Sequence, residues 1–108
     1  MSRYLLIESR DPWSSTDLRG YAALAAQLRR AGHEVALFLV QNGVLAARAE
    51  ARSPELRDAI GLQIDVLADD FSLRERGIDA AQMASGVRSA PISLVVERLA
   101  LGWKTIWH

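Results

Sequence analysis

The sequence predicts an α/β fold, a three-layer α/β/α sandwich built around a five-stranded, mainly parallel sheet. Three observations predict it. Strand-like and helix-like stretches alternate along the chain, as they do in βαβ units. Residues 35–40, Val-Ala-Leu-Phe-Leu-Val, are continuously apolar, the pattern of a strand covered by helices on both faces. Helix-starting and helix-stopping residues recur between the strands. The 108 residues suit a single domain over 1–108, and with half of them apolar a core forms without disulfides or metal.

Residues 3–9 read as the first strand, closed by the turn-forming pair Asp11-Pro12. Ser14, Ser15, Thr16 and Asp17 offer caps for a first helix, along which Leu18, Tyr21, Ala22, Ala25 and Leu28 share a face. Arg29 and Arg30 complement the dipole in its last turn, and Gly32 ends it in the left-handed conformation. The apolar run 35–40 is the second strand. Asn42-Gly43 ends it, and although the pair suits a hairpin, no alternating strand comes after it. Residues 44–52 are Ala-rich and partly helical. Ser53-Pro54-Glu55 starts a helix with a cap, a first-turn proline and an acid, with Leu56, Ala59 and Ile60 apolar and Gly61 closing it. Residues 63–68 are the third strand. A short helix over 70–76 stops at Gly77. A short strand is expected near Val87. Ser89-Ala90-Pro91 opens a last helix with Ile92, Val95, Val96 and Leu99 on one face and Gly102 at its end, and residues 103–108 form the final strand.

Thirteen basic residues balance thirteen acidic ones, so no basic surplus points to nucleic acid and no acidic surplus to a solvating tail. The absence of cysteine removes disulfides, thiolate metal sites and thiol nucleophiles together. Tyr4-Leu5-Leu6-Ile7 is too short for the apolar region of a secretory signal and is followed by Glu8 and Arg10. No run approaches the roughly 18 apolar residues of a membrane span. A soluble, cytoplasmic protein with no membrane and no nucleic-acid partner is expected.

In open parallel sheets, sites lie outside the carboxyl ends of the strands. Three loops qualify here: 9–13, 41–44 and 69–77. They hold the candidate ligand-binding residues Arg10, Trp13, Asn42, Asp69, Asp70, Ser72 and Arg76, with Arg74 nearby. Asp69 and Asp70 offer a general base or oxygen ligands for a hard cation; the competing reading is that one caps the following helix and the other is solvated. Ser72 is a nucleophile only beside a base. His33 falls at the opposite edge of the sheet and His108 is the last residue, which disfavours a Ser-His-Asp triad. Arg76-Gly77 fits either an anion contact or a plain helix end with a cation and a glycine cap. Neither phosphate-loop pattern, G-x-G-x-x-G or G-x-x-x-x-G-K-[ST], is present, so nucleotide binding has no positive support, and no cofactor and no metal centre is expected. Trp13, Trp103 and Trp107 are candidate interface residues, since Trp is prominent at hot spots; the alternative for the last two is burial in the core.

Four stretches together resemble the DsrE/DsrF/DsrH family, which includes the Tus sulfur-relay subunits. They are the opening strand with its Ser-Thr-Asp helix start; Leu28-Arg29-Arg30-Ala31-Gly32-His33-Glu34-Val35, similar to L-x-x-x-G-H-E-V; Phe38-Leu39-Val40-Gln41-Asn42-Gly43-Val44, similar to F-x-x-x-G-V; and Ile64-Asp65-Val66 through Ser72-Leu73-Arg74-Glu75-Arg76-Gly77-Ile78, similar to V-x-V-C-x-x-C-L-x-x-R-G-I. The resemblance spans most of the chain. It implies a sulfur carrier whose persulfide sits on a cysteine ending the third strand. Here Asp69 stands at that position and Ser72 at the second cysteine position of some members, and neither holds a persulfide. The Asp-rich loop and aromatic C-terminus resemble the DsrH/TusB branch, whose subunits can serve in assembly.

The resemblance implies a homo-oligomer, trimer or hexamer, or a hetero-oligomer with cysteine-bearing DsrE-like subunits. Three functions compete. The first is a non-catalytic subunit or partner-binding protein linked to sulfur relay. The second is a homo-oligomeric binder of a small molecule or anion at the cleft around residues 69–76. The third is an enzyme using Asp69 or Asp70, the least favoured because the family's nucleophile is missing.

Overall fold

The apolar run becomes the middle strand of the sheet. In the computed structural model, which describes residues 1–13 and 15–107, β2 (Glu34–Leu39) is buried from Val35 onward. Around it lie β1 (Arg3–Glu8), β3 (Asp65–Asp69), β4 (Arg88–Ala90) and β5 (Lys104–Trp107), in the order β4-β3-β2-β1-β5. Every neighbouring pair is parallel, with Leu6 opposite Leu37 and Ile106, and Phe38 opposite Leu67. The fold is α/β with helices on both faces, as the alternation of patterns predicts.

Two apolar layers hold the helices down. On one face, Leu18 and Ala25 of α1 (Asp17–Arg30), Leu56 and Ala59 of α2 (Pro54–Gly61) and Leu73 of α3 (Asp70–Glu75) pack over Leu6, Leu37, Leu39 and Val66. On the other face, Leu5, Ile7, Phe38 and Leu67 lie beneath Val95 of α4 (Ser93–Ala100) and Trp103. The chain therefore steps outward from β1 to β4, then α4 carries it back across the second face to pair β5 with β1. At about 1.5 Å per residue, α4 is ~12 Å long, while five strands at roughly 4.8 Å spacing are ~19 Å wide. Among the described residues no helix is long and apolar enough to cross a membrane.

The local signals act as expected in several places. Ser53 caps α2 by accepting from the Leu56 amide at 3.3 Å, with Pro54 opening the helix. Gly32 takes φ 93° beyond α1, and Gly77 takes φ 65° beyond α3. The cap at Ser14 lies outside the described residues; Ser15 Oγ accepts from the Asp17 amide at 3.1 Å. After α2 the left-handed residue is Gln63, with φ 64°, rather than Gly61.

The last third of the chain departs from the sequence reading. Arg88, Ser89 and Ala90 form an edge strand instead of opening a helix, anchored where Arg88 Nη2 meets both Asp65 carboxylate oxygens at 2.8 Å. Pro91 comes next, where it removes no ladder hydrogen bond. In α4 only Val95 of the expected apolar face is buried, at 8% exposure, while Ile92, Val96 and Leu99 are 49%, 68% and 52% exposed. Ile92, Val96 and Leu99 form their own i, i+4, i+7 stripe, turned away from the sheet.

Candidate functional site

The segments after β2 and β3 build the carboxyl edge of the sheet. Asp69 ends β3 and caps α3, because its Oδ2 accepts from the Ser72 amide at 3.1 Å and from Ser72 Oγ at 2.6 Å. Ser72 Oγ in turn accepts from the Gln41 amide at 2.8 Å. Gln41 adopts φ 52° to present that amide, at the start of a 3₁₀ segment, Gln41–Ala47. One serine hydroxyl thus clamps the loop after β2 to the helix after β3. Asp69 and Ser72 are 6% and 3% exposed, and Asp69 Oδ1 is buried without a hydrogen-bond partner.

Arg76 makes a second tie between the same loops. Its Nε and Nη2 donate to Asn42 Oδ1 at 3.2 and 3.0 Å, and its Nη1 donates to the Ser72 carbonyl at 3.2 Å. The guanidinium so placed also meets the carbonyl end of α3, where a cation is favoured.

Arg10 and Trp13 belong to a different cluster, beyond β1. Arg10 Nε pairs with Asp17 Oδ2 at 3.3 Å, and Trp13 stands under the Arg48 guanidinium, 5.3 Å from its ring centroid. At the centre of this cluster is Glu8, which is fully buried and whose Oε1 accepts from the Arg10 amide at 3.0 Å. The Tyr21 phenol is held above its ordinary pKa by burial first, then by the nearby Glu8 and Asp17 carboxylates. Sequence reading misses Glu8. Strand parity is the available signal, since Glu8 follows Leu6 onto the face that α1 covers. Gly43 escapes in the same way: a Cβ there would collide with the Glu8 carbonyl, so only glycine lets the 3₁₀ segment approach β1 this closely.

Between α3, the segment leading into α4 and the end of β5 lies a cavity of about 430 Å³. It gathers Asp69, Asp70 and Ser72 with Gln41, Phe71 and Trp107. Arg10, Trp13, Asn42 and Arg76 do not line it. Of the three tryptophans, Trp103 is withdrawn into the core at 9% exposure, with Arg98 4.5 Å over its ring, while Trp13 and Trp107 stay 62% and 59% exposed.

No family model and no curated protein matches the sequence. Among the solved structures that match the fold, two do so over their whole length and the whole of this chain. The ychN protein from E. coli aligns with a TM-score of 0.86 at 19% identity, and MTH1491 from Methanobacterium thermoautotrophicum with 0.81 at 18%. The fold is DsrE-like.

Within this DsrE-like fold, the end of β3 sets one buried hydroxyl, Ser72, against one buried carboxylate, Asp69, with no histidine beside them among the described residues. Ser72 Oγ donates a hydrogen bond to Asp69 Oδ2 and accepts one from the Gln41 amide, and the second Asp69 oxygen is enclosed. His33 is at the far end of the sheet, where its Nδ1 accepts from the Ser2 amide at 3.0 Å and its ring meets Tyr4 edge-on at 5.2 Å. His108 lies outside the described residues. Among the described residues no group of three His, Asp or Glu side chains is placed to hold a metal ion. Asp70 faces Arg74 at 4.0 Å on the surface of α3. The arrangement suits binding: a closed polar floor beneath an open, apolar rim.

Proposed function

We propose that this chain is a non-catalytic, oligomeric DsrE-like subunit that binds partner chains, its own copies or cysteine-bearing DsrE-like relatives in a sulfur-relay assembly. The observation that carries the reading is the stripe Ile92, Val96 and Leu99 on the outer side of α4, with Leu101, 68% exposed, just beyond it. A helix packed on a sheet turns its apolar side inward; this one has a second apolar side left over. These side chains are about half to two thirds exposed, so burying the remainder of each contributes about 1–2 kcal/mol, and several together favour association. The clamp at the end of β3 agrees, because it fixes a surface and engages the Ser72 hydroxyl in two hydrogen bonds.

The test is the mass of the protein in solution by light scattering, with Val96→Asp combined with Leu99→Asp. The expected result is a threefold or sixfold multiple of 11.9 kDa that falls to the monomer in the double variant with its helix content intact. A monomeric parent protein that also copurifies with no DsrE-like relative overturns the reading. A second reading, a small-molecule binder at the same edge, is favoured by the cavity beside Asp69.

A further inference from the structure

A second cavity, of about 400 Å³, lies between the 3₁₀ segment, α2 and residues 84–85, and shares no lining residue with the cavity beside Asp69. Its floor is apolar: Ala46, Leu56, Ile60 and Ala84. Its far wall is held by the antiparallel bridge between Arg48 and Met83 and by the Ala84 amide, which donates to the Ala47 carbonyl at 2.7 Å. Gly86 brings that wall up to α2, since a Cβ there would come within 3.0 Å of Ile60.

The charged residues that line this cavity are both arginines, Arg52 and Arg57. The Arg52 guanidinium has no hydrogen bond and no ion pair among the described residues. Arg57 meets its chain neighbour Asp58 at 3.5 Å with both side chains exposed, a pair that contributes little and yields to a competitor. In a chain whose basic and acidic residues balance, these two form a local surplus. Arg52 also holds φ 48°, a left-handed conformation that glycine adopts freely and a side chain resists. The backbone alone gives no reason for an arginine there. A guanidinium matches a carboxylate in a two-pronged bond, and the floor beneath offers burial to a hydrocarbon body. An ammonium would meet two cations and no lining acid. A mostly apolar cavity of this size with a few convergent polar groups is the usual form of a small-molecule site.

We propose that this cavity binds a small carboxylate on an apolar body, the carboxylate taken by Arg52 and Arg57 and the body laid on Leu56, Ile60 and Ala84. The site goes beyond both readings above, because it includes no residue of the α4 stripe and none of the cavity beside Asp69.

The experiment titrates the full chain at fixed ionic strength with 4-phenylbutyrate, 4-phenylbutan-1-ol, 4-phenylbutylammonium and inorganic phosphate, followed by amide NMR shifts. Saturable binding of the carboxylate is expected, with shifts at Arg52, Leu56, Ile60 and Ala84. The alcohol and phosphate should bind at least tenfold more weakly, for each lacks one half of the match, and the ammonium not at all. Arg52→Gly removes the guanidinium and relaxes the left-handed backbone, so it should weaken the carboxylate at least tenfold while the melting temperature holds or rises. Arg57→Gln should weaken it several-fold. Ala84→Leu fills the cavity at unchanged charge and should weaken carboxylate and alcohol alike. No saturable shift with the carboxylate, equal binding of the first three probes, phosphate binding as tight as the carboxylate, or carboxylate binding indifferent to Arg52→Gly and Ala84→Leu overturns the proposal. Shifts confined to the surroundings of Asp69 and Trp107 overturn it too.

Discussion

Replacing Ser72 by Ala removes one oxygen and two hydrogen bonds, one to each side of the clamp. The bond to Asp69 is short, at 2.6 Å, and its acceptor is a carboxylate; hydrogen bonds to charged groups contribute about 1.5–3 kcal/mol. The second loss leaves the Gln41 amide, which donates to Ser72 Oγ at 2.8 Å, without its partner, at a cost of roughly 1–3 kcal/mol if no water replaces it. The two terms share an atom and do not add in full. Water from the adjoining cavity recovers part of the second, so the expected loss is about 2–4 kcal/mol, against a typical total of ~5–15 kcal/mol. Urea unfolding followed by circular dichroism reads this directly. With a slope of about 2 kcal/mol per molar, the midpoint should fall by roughly 1–2 M at unchanged slope. A fall of less than about 0.3 M would refute the reasoning, for it would mean that the hydroxyl holds nothing that water does not hold equally well.

Three further outcomes are expected. Gly43→Ala drives a methyl into the Glu8 carbonyl, backbone against backbone, and should lower stability by about 1–3 kcal/mol in the same urea assay, more than Gly61→Ala, where a Cβ meets nothing within 4 Å. Asp69→Cys places a thiol beneath the Ser72 amide and hydroxyl, so its reaction with iodoacetamide should report a pKa below that of an ordinary free cysteine; an ordinary value would weaken the match of this position to a sulfur-carrying one. The raised pKa of Tyr21 means that the fold prefers the neutral phenol. That contribution is complete below the unfolded value of 10.0 and is lost as pH rises through the higher folded value. Tyr21→Phe should therefore flatten the alkaline end of a stability-against-pH curve measured by thermal melts.

The first three strands and first two helices are legible in the sequence because their signals are local. A continuous apolar run, a Ser-Pro start and a glycine stop each act within a few residues. The cap at Asp69 is legible for the same reason. The features that escape depend on distant parts of the chain. Glu8 looks like the polar end of a strand until α1 covers it, and Gly43 looks like a turn residue until the 3₁₀ segment is laid against β1. The stripe of α4 looks like core, because hydrophobic spacing gives a helix its apolar side but does not say which neighbour that side meets. Trp103 and Trp107 share a strand parity, yet one is roofed by Arg98 and the other stands at the cavity mouth. Of the seven candidate ligand residues, Asp69, Asp70 and Ser72 converge on one cavity, whereas Arg10 and Trp13 follow β1, which β2 separates from β3.

The strand order carries a consequence for how this protein is made. β1 lies between β2 and β5, so among the described elements the first strand to leave the ribosome takes one of its two neighbours from the last. Until β5 arrives, the Tyr4–Ile7 edge of β1 is an open template of unpaired amides and carbonyls, the kind of edge to which other chains add. Synthesis at ~5–20 residues per second leaves that edge waiting for several seconds. A nascent chain of this protein should therefore depend on ribosome-bound chaperones more than its size suggests, and stalling before α4 should yield aggregates that pulse-labelled synthesis can detect.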